Sequence, residues 1–265
     1  MPNVAASYYT DPACPESWAA EPALRRLQAE FGDGLTITYV MGGLAREFAR
    51  PVETMRHVLD AAAASGMPVD PRLWLDHPPK SSYPACQGVK AAAEQGLDGR
   101  YLRVVREGMM VERRALDTAD ALVDAARRVP GMNVERFAID LRSHAIVEAF
   151  GADLERARAA ARDGEPRVPF PSFELRGEDG EVHGVYDSGD IGRLREAATA
   201  AGATAAGALP GPEAALRRFG RLATAEVAAA CDLPGPRAPA ELWRLAGEWR
   251  VRAERVFTGE LWSAA

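Results

Sequence analysis

Between residues 4 and 40 the hydrophobic period of the chain changes twice, and this limits the available folds more than any other stretch does. Residues 4–9 form a short β-type run. Residues 16–31 place Trp18, Leu24, Leu27 and Phe31 at helical spacing, and residues 35–40 return to β-branched and aromatic side chains after the turn Gly32-Asp33-Gly34. Strand, helix and strand in that order predict a right-handed βαβ unit. Pro22 falls inside the helical stretch. Its missing N–H predicts a bend that lets the first turn present side chains while the rest packs on the sheet.

Cys14 sits at the junction of the first strand and the helix, in the run Thr10-Asp11-Pro12-Ala13-Cys14-Pro15-Glu16-Ser17-Trp18. The unpaired N–H groups and positive dipole end of a helix N-terminus stabilise a thiolate, so an acidic thiol is expected there. Pro15 suits the first helical turn, where its missing N–H costs nothing. The spacing Cys14-Pro15-Glu16-Ser17 is that of a redox Cys-x-x-Cys with serine in the second place, so the site can form mixed disulfides but not an internal one. The Ser17 hydroxyl is expected to donate a hydrogen bond to the thiolate. By itself, a cysteine before a helix also reads as a small buried hydrophobe. Its place directly after the first strand, with Pro15 next to it and Trp18 closing the turn, makes it a candidate nucleophile.

The 265 residues are 47% hydrophobic and 26% charged, which fits one large globular domain or two smaller ones. No apolar run approaches the roughly 20 residues that span a bilayer. The first residues lack the basic and apolar regions of a secretory signal, so a cytoplasmic location is expected. Cys14, Cys86 and Cys231 are far apart and odd in number, which argues against a disulfide framework. His57, His77, His144 and His183 show no paired ligand spacing, so no metal site is expected. A net charge of -6 disfavours nucleic acid as the main partner. The bias toward Ala and Arg points to a high-GC genome.

From residue 42 to 163 the pattern is helical, with amphipathic segments at 45–65, 82–95, 101–111, 118–129 and 134–151 and a loop over 66–80 ordered by Trp74. This reads as a helical subdomain inserted into an α/β fold. Strand pattern resumes at 171–175 and turns through Glu178-Asp179-Gly180 to 182–185. A helix capped within Asp187-Ser188-Gly189-Asp190 then reaches Ala201. The expected organisation is a core of 1–41 and 164–201, the insert 42–163, a linker 202–211 and a mainly helical C-terminal module 212–265. In that module, helices at 214–219, 224–231 and 239–250 precede a short end piece. Helix, turn and helix invite comparison with a winged-helix DNA reader, but Arg is nearly balanced by Glu and Asp, which favours packing or partner binding.

The strand, the Asp11–Trp18 segment, the Glu-Pro-Ala-Leu-Arg-Arg-Leu helix, the helical insert and the later Val-Pro-Phe-Pro-Ser-Phe run together resemble the DsbA-like branch of the thioredoxin superfamily. The resemblance covers roughly residues 3–201. It is nearest to the cytosolic group that includes the ClpXP adaptor proteins recognising Spx, with polyketide-associated thiol oxidoreductases and kappa-class glutathione transferases as relatives. Gly66-Met67-Pro68-Val69-Asp70 with Trp74, and Ser82-Tyr83-Pro84-Ala85, also look like this group. The implied fold is α/β, thioredoxin-like, with a large helical insert. The resemblance also implies a cis-proline opposite the cysteine, at Pro171 after Phe170, with exposed backbone able to pair with an extended substrate. A trans Pro169 or Pro171 that merely begins a strand is the alternative from pattern alone.

Three functions follow. The first is a single-thiol oxidoreductase or isomerase, with Cys14 and Ser17 catalytic and Pro15, Trp18, Phe170, Pro171 and Ser172 holding a protein disulfide or thiol-capped substrate. Its second thiol would come from mycothiol or glutathione, or from Cys86; no tightly bound cofactor is implied. The second is a non-enzymatic adaptor presenting a client protein. The third is a kappa-class-like transferase or isomerase, in which Ser17 stabilises a bound small thiol.

Overall fold

The computed structural model of the chain describes residues 4–265. Strand β1 (Val4–Thr10) pairs in parallel with β2 (Leu35–Met41), and the connection between them is helical. That connection is two helices, not one bent helix. α1 (Pro15–Ala19) stops at Ala20 and α2 (Glu21–Phe31) starts immediately after it. Pro22 lies in the first turn of α2, where a missing N–H is tolerated, so the proline begins a helix here and does not kink one.

The antiparallel strands β3 (Ser172–Arg176) and β4 (Val182–Val185) complete a four-stranded sheet in the order β2-β1-β3-β4. Tyr8 of β1 stacks on Phe173 of β3, with ring centroids 4.2 Å apart, and both are buried. Such a cross-strand aromatic pair helps set the register of the sheet.

The insert holds α3 (Pro51–Ser65), α4 (Leu73–Asp76), α5 (Tyr83–Ala93), α6 (Asp98–Met110), α7 (Ala119–Ala126), α8 (Val134–Asp140) and α9 (His144–Ala159). The helix expected over 45–65 starts only at Pro51, the loop over 66–80 contains the single turn α4, and the segment 134–151 is split. The split has a local cause: Asn133 and Ser143 each cap a new helix with their own side chains. The α10 helix (Ile191–Ala200), capped by Asp190, returns the chain to the sheet.

Residues 202–211 contain no helix or strand, yet the Ala206 N–H donates to Glu30 O at 2.7 Å, which ties this stretch to α2. The C-terminal module is less helical than expected. It runs α11 (Pro212–Phe219), β5 (Leu222–Ala223), α12 (Thr224–Ala230), α13 (Arg237–Gly247), β6 (Val251–Val256) and β7 (Gly259–Ala264), with a sheet in the order β5-β7-β6. The end piece is therefore a β-hairpin. Its strand Val-Arg-Ala-Glu-Arg-Val buries only its two valines, so the alternation that marks a half-buried strand is absent from the sequence. Helix, short strand, two helices and a hairpin make a winged-helix arrangement.

The module shares apolar packing with the insert. Val256, Leu261 and Ala223 join Val58, Met67, Trp74 and Met110 in one cluster around Trp18.

Candidate active site

Cys14 is the N-cap of α1, and Pro15 occupies the first helical turn. The Ser17 amide donates to Cys14 Sγ at 3.4 Å, the thiol donates to Glu16 Oε2 at 3.3 Å, and the Phe170 carbonyl lies 3.9 Å from the sulfur. The Phe170–Pro171 peptide bond is cis. Two parts of the chain 156 residues apart therefore meet at one sulfur atom.

The acidic thiol expected at a helix N-terminus is not what this geometry produces. Cys14 is 1% exposed, and burial, followed by the Glu16 carboxylate, pushes its thiol up to about 12. The Ser17 side chain and amide, which favour the thiolate, do not overcome this. Helix α1 has only five residues and ends at Ala19, so few peptide dipoles align behind the sulfur. The Ser17 side chain favours the thiolate, but its hydroxyl is fully buried and has no hydrogen-bond partner among the described residues.

The other expected contact residues divide into two groups. Phe170 packs with Cys14, and Phe170, Pro171 and Ser172 are all buried; Ser172 Oγ donates to Pro169 O and accepts from Asp187 N, which fixes the loop before β3. Phe170 fills the space over Gly42, where a Cβ would come within 1.8 Å of its ring, and Arg167 stacks on Phe170 at 4.2 Å from the ring centroid. Trp18 turns the other way. It is buried in the cluster shared with the C-terminal module, and its indole donates to Pro68 O at 3.0 Å.

Cys86 is fully buried, and its thiol donates to Asp11 Oδ2 at 3.2 Å. Burial and the Asp11 charge hold it far above the ordinary thiol range, the opposite of what a resolving thiol needs. Asp11 also accepts from Ala13 N, Leu44 N and Ser82 Oγ, so it braces the loop before Cys14.

Behind Trp18 lies a set of buried charges that sequence reasoning did not bring together. Glu21 pairs with Arg25, Arg103 and Arg106, and Arg106 also reaches Tyr8 and Thr10. Glu226 of α12 joins from the C-terminal module, accepting from Arg103 and Arg25. Burial would raise the Glu21 carboxyl, but Arg25, Arg106 and Arg103 outweigh it and hold the group at about 2. The partners come from four separate elements, so only the helical spacing of Glu21 to Arg25 was readable in advance.

Among the described residues no group of three or more His, Cys, Asp or Glu side chains is arranged to hold a metal ion, and no helix is long and apolar enough to cross a membrane.

A thioredoxin-type sheet with a cysteine at the start of the first helix, a loop from before β3 laid against its sulfur, and a helical insert between the two defines a DsbA-like protein of the thioredoxin superfamily. The Thioredoxin family model matches residues 8–187, and the chain belongs to that family. It is 31% identical over 190 residues to the ClpXP adapter protein SpxH of Halalkalibacterium halodurans, a match covering 67% of this chain but only 62% of that relative. With the protein of the same name from Shouchella clausii it is 28% identical over 269 residues, covering 96% of this chain and 86% of the relative. The cytosolic disulfide reductase DsbM from Pseudomonas aeruginosa superposes with a TM-score of 0.58 at 23% identity, covering 72% of this chain and 91% of that one.

Proposed function

We propose that the chain is an adaptor that binds a client protein and delivers it to a ClpXP-type protease, without turning over disulfides. The observation that carries this reading is the state of Cys14: a buried, protonated thiol with serine where a second thiol would stand. The SpxH relatives support it, and the Shouchella clausii match extends over nearly the whole chain. The docked C-terminal module adds surface that thiol chemistry does not need. Three of its exposed arginines, Arg244, Arg250 and Arg255, are each paired with glutamates of the same module, so they add little net positive charge to its surface.

The test uses the organism's own protease. Proteins whose half-lives lengthen when the gene is deleted are purified and offered to its ClpXP with wild-type chain or with Cys14→Ala. Both should accelerate degradation. Acceleration by neither removes the adaptor reading.

Acceleration by the wild type alone would favour a second reading, a single-thiol oxidoreductase. The Ser17 amide on the sulfur supports it. In that reaction the Cys14 thiolate attacks one sulfur of a substrate disulfide and expels the other as thiolate. A low-molecular-weight thiol such as mycothiol or glutathione then attacks the mixed disulfide and regenerates Cys14.

A further inference from the structure

A cleft of about 690 Å³ opens where α2, the start of α6 and the end of α11 meet, and none of the residues touching Cys14 lines it. Seven of its eighteen lining residues are arginines, against two carboxylates, Asp98 and Glu107. Five of the arginines are held by carboxylates of the buried network or its rim. Arg218 instead gives one N–H to the Gln28 carbonyl and stacks on Phe219, and Arg100 is exposed with no ion pair among the described residues. Glu107 is bound by Arg103 and Arg221, which leaves Asp98 as the wall's unpaired carboxylate.

Two further features of the wall favour an anion. Helix α6, thirteen residues long, begins there; its N-cap Leu97 supplies no side-chain acceptor for the first-turn N–H groups, and Asp98, the first residue of the helix, is the acidic side chain of that turn. Tyr39 also lines the cleft. It is 8% exposed, and its hydroxyl makes no hydrogen bond among the described residues. Gly99, next to it in the wall, leaves the hydroxyl room, since a Cβ there would come within 2.8 Å of that oxygen. Burial, above all, keeps the phenol protonated, so it is a neutral donor waiting for an acceptor. Phe219, Val104, Val129 and Pro130 give the cleft an apolar side, and its volume falls in the range of small-molecule sites, about 300–1,000 Å³.

We propose that this cleft binds a small organic phosphate monoester bearing a flat ring. Arg100, Arg218 and the first turn of α6 take the phosphate, Tyr39 donates to it or to the ester oxygen, and the apolar side receives the ring. The unpaired Asp98 opposes further negative charge, so a monophosphate is preferred to a triphosphate. This site is independent of the adaptor reading.

The experiment is calorimetric titration of the full chain with phenyl phosphate and with adenosine monophosphate, with adenosine and inorganic phosphate as controls. The two monoesters should bind with Kd below about 1 mM. The double variant Arg100→Ala/Arg218→Ala should bind at least about tenfold more weakly, and Tyr39→Phe about threefold, with melting temperatures unchanged. If the double variant does not fold, Tyr39→Phe and the loss of affinity from about 0.05 to 0.5 M salt carry the test. Absence of binding by both monoesters at about 10 mM overturns the proposal, as does adenosine binding equally well or Tyr39→Phe binding unchanged.

Discussion

Arg103 and Glu226 face each other as a two-pronged ion pair, Nη1 to Oε1 and Nη2 to Oε2 at 2.8 Å each, with both side chains buried. Arg103 belongs to the insert and Glu226 to the C-terminal module, and the same guanidinium lies 4.7 Å from the centre of the Trp18 ring. One side chain thus connects the module to the turn that carries Cys14.

Removing one partner of such a pair leaves an uncompensated buried charge. Glu226→Ala is expected to destabilise the chain by about 3–5 kcal/mol, read from urea unfolding. A loss under about 0.5 kcal/mol would mean that water reaches Arg103 and that the module docks by apolar packing alone.

The same network predicts an acid transition. The Glu21 carboxyl is lowered from its ordinary 4.5 to about 2 in the folded chain, so between these values the unfolded chain binds more protons. Its contribution is present above about pH 4.5 and is lost as pH falls toward 2, amounting to about 3 kcal/mol. Stability measured against pH should therefore drop in that window, and Glu21→Gln should flatten the drop. An unchanged slope in the variant would assign it to other carboxylates.

Cys14 supplies a test at the alkaline end. With its thiol pushed up to about 12, the thiolate fraction at neutral pH is on the order of 10³ below that of a free thiol. Iodoacetamide should label native Cys14 far more slowly than the unfolded chain, and Glu16→Gln should speed labelling by removing the second cause. Because the folded thiol holds its proton more tightly, stability is full below about pH 9 and declines as pH rises toward 12. A labelling midpoint at or below that of a free thiol would contradict the closed site.

Gly42 gives a way to open that site. A Cβ at this position would overlap the Phe170 ring, so Gly42→Ala must displace Phe170 from beside the sulfur. The expected result is a loss of about 1–3 kcal/mol together with faster alkylation of Cys14. Destabilisation with labelling unchanged would show that Phe170 does not guard the thiol.

Local pattern carried much of this architecture. The switch of period from two to 3.6 and back placed β1, the helical connection and β2, and the residues Cys14-Pro15 marked the start of a helix because capping depends on immediate neighbours. The wing hairpin escaped notice because its exposed Arg and Glu residues hide the alternation of a strand.

What the sequence determined by itself is the order of the elements, the helix-start position of Cys14 and the lack of a second thiol at Ser17, all properties of a few adjacent residues. Tertiary structure alone decided whether that thiol is acidic, because the answer depends on burial beneath Phe170, brought from 156 residues away, and on the orientation of Glu16. It also decided that Glu226 closes a charge network and that Tyr39 and Arg218 share one cleft. Burial and charge act through space over a few ångströms, and residues distant in the chain reach that range only when it folds.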